Sequence, residues 1–222
     1  MPFQRSQRRR LTLPALRTLG LLSLMVAMLA GTACTHQPAY NATAKQPSDD
    51  VDAAYARGDY ATALQLNLPL ANAGNVVAQF NLGLMYDKGN GVPQDYAEAA
   101  RWFRKAADQG LAVGQFNLAV SYEKGQGLPQ DFAEAAKWYR KAAEQDLAMA
   151  EYNLGILYAQ GQGVSQDYVE AYKWFSLAAS PFLAAEQSIR AMAGKSRDTV
   201  AAHMTSVQIA EAQKRAREWR PK

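Results

Sequence analysis

A period of 36 residues governs the middle of this 222-residue chain. Residues 74–109, 110–145 and 146–181 align without a gap; the first two blocks are identical at 23 positions, and twelve positions are the same in all three. A degenerate unit, residues 50–73, precedes them in the same register. Repetition at such a period is the signature of an array in which each unit stacks on the next. The chain is therefore constrained to a repeat fold.

Each block is predicted to begin with a helix that ends in a turn. In the first block, Ala78, Leu82 and Tyr86 recur at i, i+4 and i+8, which places them on one apolar face of a helix. The glycines at positions 89 and 91 and the proline at position 93 follow. They end the helix and supply a turn.

The second helix of each block is predicted to begin at an aspartate. Asp95 stands at the N-cap position, and Glu98 follows at capping-box spacing. Ala99, Trp102 and Ala106 then recur at i, i+3 and i+7 and are predicted to be buried. Because one hairpin cannot cover its own apolar face, the hairpins are expected to stack into an all-α solenoid with a concave inner surface.

The consensus of residues 50–181 is best seen in the first full block. It consists of Asn81-Leu82-Gly83, Tyr86, Gly89-x-Gly91, Gln94-Asp95-Tyr96, Glu98-Ala99, Trp102 and Lys105-Ala106-Ala107. This consensus resembles the Sel-one-like (Sel1-like) repeat, a relative of the tetratricopeptide repeat. The resemblance implies a right-handed superhelix of antiparallel helical hairpins, and a role as an adaptor in protein complexes. The third copy departs mildly, with Asp146 for the leading glycine, Ser165 for the proline and Ser176-Leu177 for an Arg-Lys pair.

By resemblance to tetratricopeptide grooves, the first helices line the inner wall and contact a protein partner. The residues expected there are Val77, Phe80, Asn81, Leu84, Asp87, Lys88, Val113, Phe116, Asn117, Val120, Glu123, Lys124, Met149, Tyr152, Asn153 and Ile156. For the three asparagines we favour a hydrogen bond to the backbone of a neighbouring hairpin, with partner binding as the alternative. For the three aromatic residues, packing between hairpins and partner binding are equally open.

The C-terminal segment, residues 182–222, breaks the period. A helix is predicted from Phe182 to Ala193, ended by Gly194, and a short helix around residues 198–203. Thr205, with a glutamine three residues later, is predicted to start a last helix with a capping box. This segment is expected to cap the apolar end of the last repeat.

Residues 1–33 are predicted to be a signal peptide. Five arginines precede an apolar run of twelve residues, Leu19–Ala30, which is shorter than the roughly 20 residues of a membrane-spanning helix. Cys34 follows small residues, as in bacterial lipoprotein signals, so we expect lipidation there and a tether over residues 34–49. Gly31-Thr32-Ala33 also fits ordinary signal cleavage, which leaves a soluble form as the alternative. The protein is expected in the periplasm, anchored by lipid to the (outer) membrane.

Charge and composition narrow the possible partners. From residue 35 on, 19 basic residues face 20 acidic ones, so no nucleic-acid partner is expected. Cys34 is the only cysteine, and His36 and His203 are the only histidines. Neither a metal site nor a cofactor is therefore expected.

The motifs point to a scaffold. No P-loop, G-x-S-x-G or H-E-x-x-H occurs, and the Ser-x-x-Lys of penicillin-binding enzymes matches only Ser121 and Lys124, without its companion motifs. We predict a non-enzymatic protein-interaction scaffold of the bacterial cell envelope, with no small-molecule substrate. The alternatives are a cell-wall-active or penicillin-binding enzyme that uses Ser121, and a periplasmic regulator of a sensor or hydrolase.

Overall fold

The computed structural model describes residues 47–180 and 187–219, which belong to the second of two units of the chain, Lys45–Lys222. The predicted signal peptide, Cys34, most of the tether and the predicted start of the first C-terminal helix lie outside the described residues. Within the described ranges the chain forms ten α-helices and no β-strand. They are α1 Pro47–Ala56, α2 Tyr60–Asn72, α3 Val76–Lys88, α4 Tyr96–Asp108, α5 Ala112–Lys124, α6 Phe132–Ala143, α7 Ala148–Gln160, α8 Tyr168–Ala178, α9 Gln187–Ala201 and α10 Ser206–Glu218.

Aspartate N-caps start the second helix of each full hairpin, as predicted. The Oδ1 atom of Asp95 accepts hydrogen bonds from the backbone N–H groups of Ala97 at 2.9 Å and Glu98 at 3.0 Å. Asp131 and Asp167 make the same two bonds at the starts of α6 and α8. Each aspartate thus satisfies two of the N–H groups that a helix start leaves without partners.

The second half of the predicted capping box is wrong. The carboxylate of Glu98 pairs with Arg101 at 2.7 Å. The backbone N–H of Asp95 donates instead to the carbonyl of Tyr86 at 2.9 Å. Because Tyr86 lies in the last turn of α3, this bond ties the end of the first helix to the start of the second.

The two glycines of each turn serve different purposes. Gly89 is the C-cap of α3 in the left-handed conformation, with φ of 72°. The second glycine of the next hairpin, Gly127, has φ of 74°, and a Cβ there would lie 2.0 Å from the carbonyl oxygen of Tyr96 in the preceding hairpin. Gly91 and Gly163 approach the preceding hairpin in the same way. The second glycine is therefore required for stacking as well as for the turn.

Buried glutamines join each of the first two full hairpins to the hairpin before it. Gln79 on α3 donates to the carbonyl of Ala71 on α2 at 3.2 Å and accepts at Oε1 from Gln109 at 2.7 Å. Gln115 repeats both bonds one hairpin later. These bonds satisfy polar groups that the stacking removes from water.

Alanines and aromatic rings fill the space between the helices. Trp102, Trp138 and Trp174 are all buried, as their recurrence predicts. The ammonium groups of Lys105 and Lys141 lie 3.6 and 3.9 Å from the ring centroids of Trp102 and Trp138, in cation–π geometry. Each helix from α1 to α8 packs against the next, which makes the described chain an all-α solenoid.

The C-terminal helices α9 and α10 pack against α8. Val200 of α9 and Ala212 of α10 join Ala171, Tyr172 and Phe175 of the third hairpin in one buried cluster. These two helices therefore cover apolar side chains that in the earlier hairpins are covered by the next repeat.

Helix α9 runs without a break through Gly194. The predicted helix end at this residue, and the separate short helix predicted around residues 198–203, are therefore wrong. A glycine inside a helix costs only about 1 kcal/mol relative to alanine, and burial of residues such as Ala193 outweighs that cost. The capping box predicted at the start of α10 is confirmed between Thr205 and Gln208.

Side-chain contacts hold α10 on the third hairpin. Trp219 packs edge-on against Trp174 with ring centroids 4.9 Å apart, and Arg215 forms an ion pair with Glu170 at 2.9 Å. Ser176, where the first two hairpins carry an arginine, donates to a carbonyl within its own helix.

The contacts of those two arginines explain why the third hairpin can have a serine at position 176. Arg104 and Arg140 each donate to a tyrosine hydroxyl of the following hairpin, Tyr122 and Tyr158. The third hairpin is followed by the cap and not by another repeat. It therefore has no tyrosine of this kind to reach.

Candidate partner-binding groove

A groove with a volume of about 700 Å³ lies among helices α3 to α7. The first helices of the hairpins supply most of its lining, and the second helices contribute three aromatic side chains, Tyr96, Phe103 and Tyr139. Nine of the residues predicted to contact a partner line it: Asp87, Lys88, Phe116, Asn117, Val120, Glu123, Lys124, Met149 and Asn153. The structure therefore brings more than half of the predicted set together, and partner contact itself stays a prediction.

The other seven residues predicted to contact a partner do not line the groove. Phe80 is buried, Leu84 and Val113 pack against the central core, Tyr152 and Ile156 pack in the cluster between the third hairpin and the cap, and Val77 and Asn81 are half-buried. Six lining residues were not predicted as partner contacts: Gln94, Tyr96, Phe103, Ser121, Gln126 and Tyr139. Five of these six lie in the turns or on the second helices, which the analogy with tetratricopeptide grooves leaves out.

Each recurrent aromatic residue of the first helices pairs with an aromatic ring on the second helix of its own hairpin. Ring centroids lie 5.9, 5.7 and 5.6 Å apart in the pairs Phe80–Phe103, Phe116–Tyr139 and Tyr152–Phe175. Of the three first-helix rings, that of Phe116 also lines the groove. Phe116 therefore belongs to the core and to the candidate site at once.

A hydrogen-bonded network centred on Tyr139 lies at the bottom of the groove. The hydroxyl of Tyr139 donates to the carboxylate of Glu123 and accepts from the Nδ2 of Asn153 at 3.1 Å. Burial raises the pKa of the Tyr139 hydroxyl well above its usual value, and the bond to Glu123 raises it further. The hydroxyl therefore stays protonated and fixes one side chain from each of α5 and α7.

The asparagines do not form the predicted hydrogen bonds to the backbone of a neighbouring hairpin. The Nδ2 of Asn117 donates to the carbonyl of Val113 in its own helix at 2.8 Å, and Asn153 donates to the side chain of Tyr139. Bonds to the preceding hairpin's backbone come instead from glutamines such as Gln115, which lie on the buried face of the same helices.

The charged residues of the groove are not paired with each other or with the described remainder of the chain. No ion pair within the described residues involves Asp87, Lys88, Glu123 or Lys124. On the second helices, in contrast, glutamates pair with basic residues one turn later in all three hairpins. The groove therefore presents two acidic and two basic side chains that remain available to a ligand.

Ser121 has the environment of a structural serine. Its side chain is buried, and its hydroxyl donates to the carbonyl of Asn117 in the same helix at 3.1 Å. A nucleophilic serine needs a base that takes its proton, whereas this proton is directed at a backbone carbonyl. Lys124, the other member of the Ser-x-x-Lys pattern, is exposed.

Two other features bear on the kind of site. In the described part of the chain, no group of three or more His, Cys, Asp or Glu side chains is placed to hold a metal ion. No helix among the described residues combines the length and apolar character needed to cross a bilayer.

Comparison with known proteins identifies the repeat. The family described as Sel1 repeat matches residues 76–111, 112–147 and 148–180, units that begin two residues after the blocks defined above. The crystal structure of a Sel1 repeat protein from Oxalobacter formigenes is 40% identical, with 61% of this chain and 54% of that chain covered and a TM-score of 0.57. The crystal structure of c5321, a protective antigen of uropathogenic Escherichia coli strains with an SLR fold, is 29% identical, with 71% and 40% covered and a TM-score of 0.52.

The matches cover only part of the solved structures. This chain spans about half of the first structure and less than half of the second. No curated protein matches the sequence.

Proposed function

Since residues 76–180 of this chain match the Sel1 repeat, we propose that it acts as a non-enzymatic scaffold that binds a segment of a protein partner in its groove. The observation that carries the proposal is the groove itself. Aromatic side chains line it together with amide side chains and with charged side chains that have no ion-pair partner among the described residues. Recognition surfaces in proteins combine these features, with aromatic anchors at the centre and polar groups at the rim.

The chemistry of the groove suggests what the partner segment carries. Phe116 and Met149, which are half-buried, offer an apolar surface for one or two hydrophobic side chains. One N–H of each side-chain amide of Asn117 and Asn153 is used within the protein, and the amide oxygens can accept hydrogen bonds from donors of a ligand. An extended peptide supplies such donors from its backbone.

The charges at the groove narrow the partner further. Two acidic residues, Asp87 and Glu123, and two basic residues, Lys88 and Lys124, lack ion-pair partners within the described chain. We therefore expect a segment with charges of both signs flanking its apolar residues. Such a segment would be steered to the groove by electrostatic complementarity.

We also propose that the scaffold works in the bacterial cell envelope. The support is the sequence of residues 1–34, with its basic region, its apolar run and Cys34. A lipid at Cys34 would hold the solenoid at a membrane surface through the polar tether. The regulator alternative differs from this proposal in the identity of the partner alone.

Site-specific photocrosslinking in cells tests the scaffold proposal. A benzoylphenylalanine placed at Met149 or Lys124 is expected to trap one partner, while the same probe at Val207, which is 76% exposed on α10, is expected to trap none. A synthetic peptide of the trapped segment should then bind the purified protein, and Val120→Glu should abolish that binding without loss of helicity. Equal trapping at all three positions, or binding that survives Val120→Glu, would refute the proposal.

The enzyme alternative has a direct test of its own. A fluorescent penicillin is expected to leave the purified protein unlabelled, because the Ser121 hydroxyl is bonded to a helix carbonyl. Covalent labelling that disappears in Ser121→Ala would establish the enzyme instead.

A further inference from the structure

The glutamine contact between hairpins is altered at one position, Glu151. In the first two hairpins, Gln79 and Gln115 donate to backbone carbonyls of the preceding hairpin at 3.2 and 3.3 Å. One repeat later, the residue in register is Glu151 on α7, and the carbonyl in register is that of Ala143 on α6. An ionised carboxylate has no N–H or O–H to offer that carbonyl.

The second half of the contact is altered as well. The Oε1 atoms of the two glutamines accept from Gln109 and Gln145 at 2.7 and 2.9 Å. The next residue in this series is Pro181, which has no side-chain donor whatever its position. Glu151 has therefore lost the amide that would compensate a negative charge.

Glu151 is nonetheless inside the protein. Its side chain is 1% exposed, and within the described residues its Oε2 atom has no hydrogen-bond partner. An unpaired buried carboxylate costs several kcal/mol, and a carboxyl group in this situation takes up a proton. A protonated carboxyl matches the glutamine amide, since it has one donor and one acceptor.

A second acidic residue, Asp146, affects the protonation of Glu151. Asp146 stands in register with Gly74 and Gly110, and it keeps their left-handed conformation with φ of 59°. Burial raises the pKa of Glu151 to about 8, and the charge of Asp146 contributes to the increase. The third hairpin thus carries two acidic departures from the consensus at one junction.

Most cations of the helices packed on α7 are engaged elsewhere. On α6, α8 and α9 they include Lys137 with Glu134, Arg140 with Tyr158, Lys141 over Trp138, Lys173 with Glu170 and Arg197 with Asp198. Glu144 at the C-cap of α6, and Arg190 and Lys195 on α9, are not among the groups whose charge shifts the pKa of Glu151. Among the described residues, no cation therefore offsets the effect of Asp146.

We propose that Glu151 is a proton-dependent latch, which fastens the third hairpin to the second when protonated and loosens it when ionised. Protonated, its O–H takes the place of the glutamine N–H and donates to the Ala143 carbonyl. Helix α7 also carries Met149 and Asn153 of the groove. If the proposed function holds, the latch therefore regulates the groove wall as well.

The sign of the pH dependence follows from the direction of the pKa shift. The folded protein keeps a proton on Glu151 up to about pH 8, whereas the unfolded chain releases it near the ordinary value of 4.5. The unfolded state therefore binds fewer protons between these limits, and stability falls as the pH rises through this window. Above the folded pKa the loss is complete and levels off.

Thermal melting of the full-length protein from about pH 5 to about pH 9, with two reciprocal variants, tests the latch. The Tm of the wild type is expected to fall across this range relative to that of Glu151→Gln, which restores the glutamine of the other hairpins. At the alkaline end, the unfolding equilibrium constant of the wild type should exceed that of Glu151→Gln by about tenfold or more. Gln115→Glu should add a second fall of the same sign at the preceding junction.

Two results would overturn the latch. One is a melting temperature of Glu151→Gln that falls with pH in parallel with the wild type, and the other is Gln115→Glu without added pH dependence. Because melting requires no partner, failure here leaves the scaffold proposal intact, and failure of the crosslinking leaves the latch intact.

Discussion

Tyr139 differs from its counterparts in the other two hairpins by a single hydroxyl. Phe103 and Phe175 occupy the equivalent positions and make the same ring contacts with the first helix. The hydroxyl joins Glu123 to Asn153 at the base of the groove, so it couples α5 to α7 where a partner segment is proposed to bind.

Tyr139→Phe is expected to lower the free energy of unfolding by about 1 kcal/mol, because a buried hydroxyl that makes two hydrogen bonds is lost while the ring is kept. Urea unfolding followed by circular dichroism measures the difference. The matched variant Phe175→Tyr should also destabilise the protein, since Ala159 stands where Glu123 would accept the bond. A neutral or stabilising Tyr139→Phe would contradict the network.

Among the structural elements, the turn within each hairpin carries the closest contact between repeats. The second glycine of the turn lies against backbone atoms of the preceding hairpin. A repeat therefore contacts main-chain atoms of its neighbour, and these atoms are the same whatever the side chains are. This is a physical reason why side chains on the stacking helices can vary while the glycine pair is kept in all three copies.

Gly127→Ala is expected to destabilise the protein more than Gly110→Ala. Both residues have positive φ, but a Cβ at Gly110 meets nothing within 4 Å, whereas one at Gly127 lies 2.0 Å from the Tyr96 carbonyl oxygen. The steric conflict should cost about 2 kcal/mol beyond the shared conformational cost. Chemical unfolding of both variants gives the difference, and equal losses would show that stacking does not depend on this contact.

The sequence predicts the elements well where local rules decide. The aspartate caps, the turn glycines and the tryptophan core follow from spacing alone, because each depends on residues within one hairpin. The continuation of α9 through Gly194 does not follow from spacing, because packing of this helix on α8 outweighs the tendency of glycine to end a helix. The glutamine contacts were also missed, because a glutamine on a helix has the pattern of a solvated residue until its neighbouring hairpin is in place.

The groove shows the same division. Residues of the first helices were predicted by their column in the repeat, and nine of them line it. Tyr139 was not predicted as a groove residue. Its equivalents in the other two hairpins are phenylalanines, and its sequence neighbours do not indicate that its side chain reaches the groove. The unpaired state of Glu123 and Lys124 likewise depends on which side chains the stack brings near them.

At the scale of the whole molecule, the array has one end closed by its own chain. Helices α9 and α10 cover Tyr172 and Phe175, and Trp219 packs on Trp174. Stability in such an array is a sum over neighbouring contacts. Loss of the last contact therefore exposes an apolar face with no other cover.

Removal of residues 182–222 is expected to cause aggregation or a large fall in Tm, because those apolar side chains become exposed. Trp219→Ala should have a milder effect, about 2 kcal/mol, from the lost ring burial. Scanning calorimetry and size-exclusion chromatography measure both. An unchanged melting curve for the truncated chain would contradict the role of α9 and α10 as a cap.

The membrane proposal also belongs to the whole molecule. Cys34→Ala is expected to move the protein from the membrane fraction to the soluble fraction, because the only residue able to carry the lipid is gone. Fractionation and labelled fatty-acid incorporation provide the readout, with Thr35→Ala as the control that keeps the anchor. Membrane retention of Cys34→Ala would disprove lipid attachment at this residue.

The third hairpin packs against a repeat on one face and against the C-terminal helices on the other. This difference has a consequence for how the array can grow in evolution. A module appended after residue 180 would find Ser176 in place of an arginine and would meet a site already occupied by α10. A copy of residues 110–145 inserted in tandem would bring both compatible faces with it. Descendants of this gene can therefore lengthen from the interior, gaining one further segment of binding surface with each duplication while both termini are inherited unchanged.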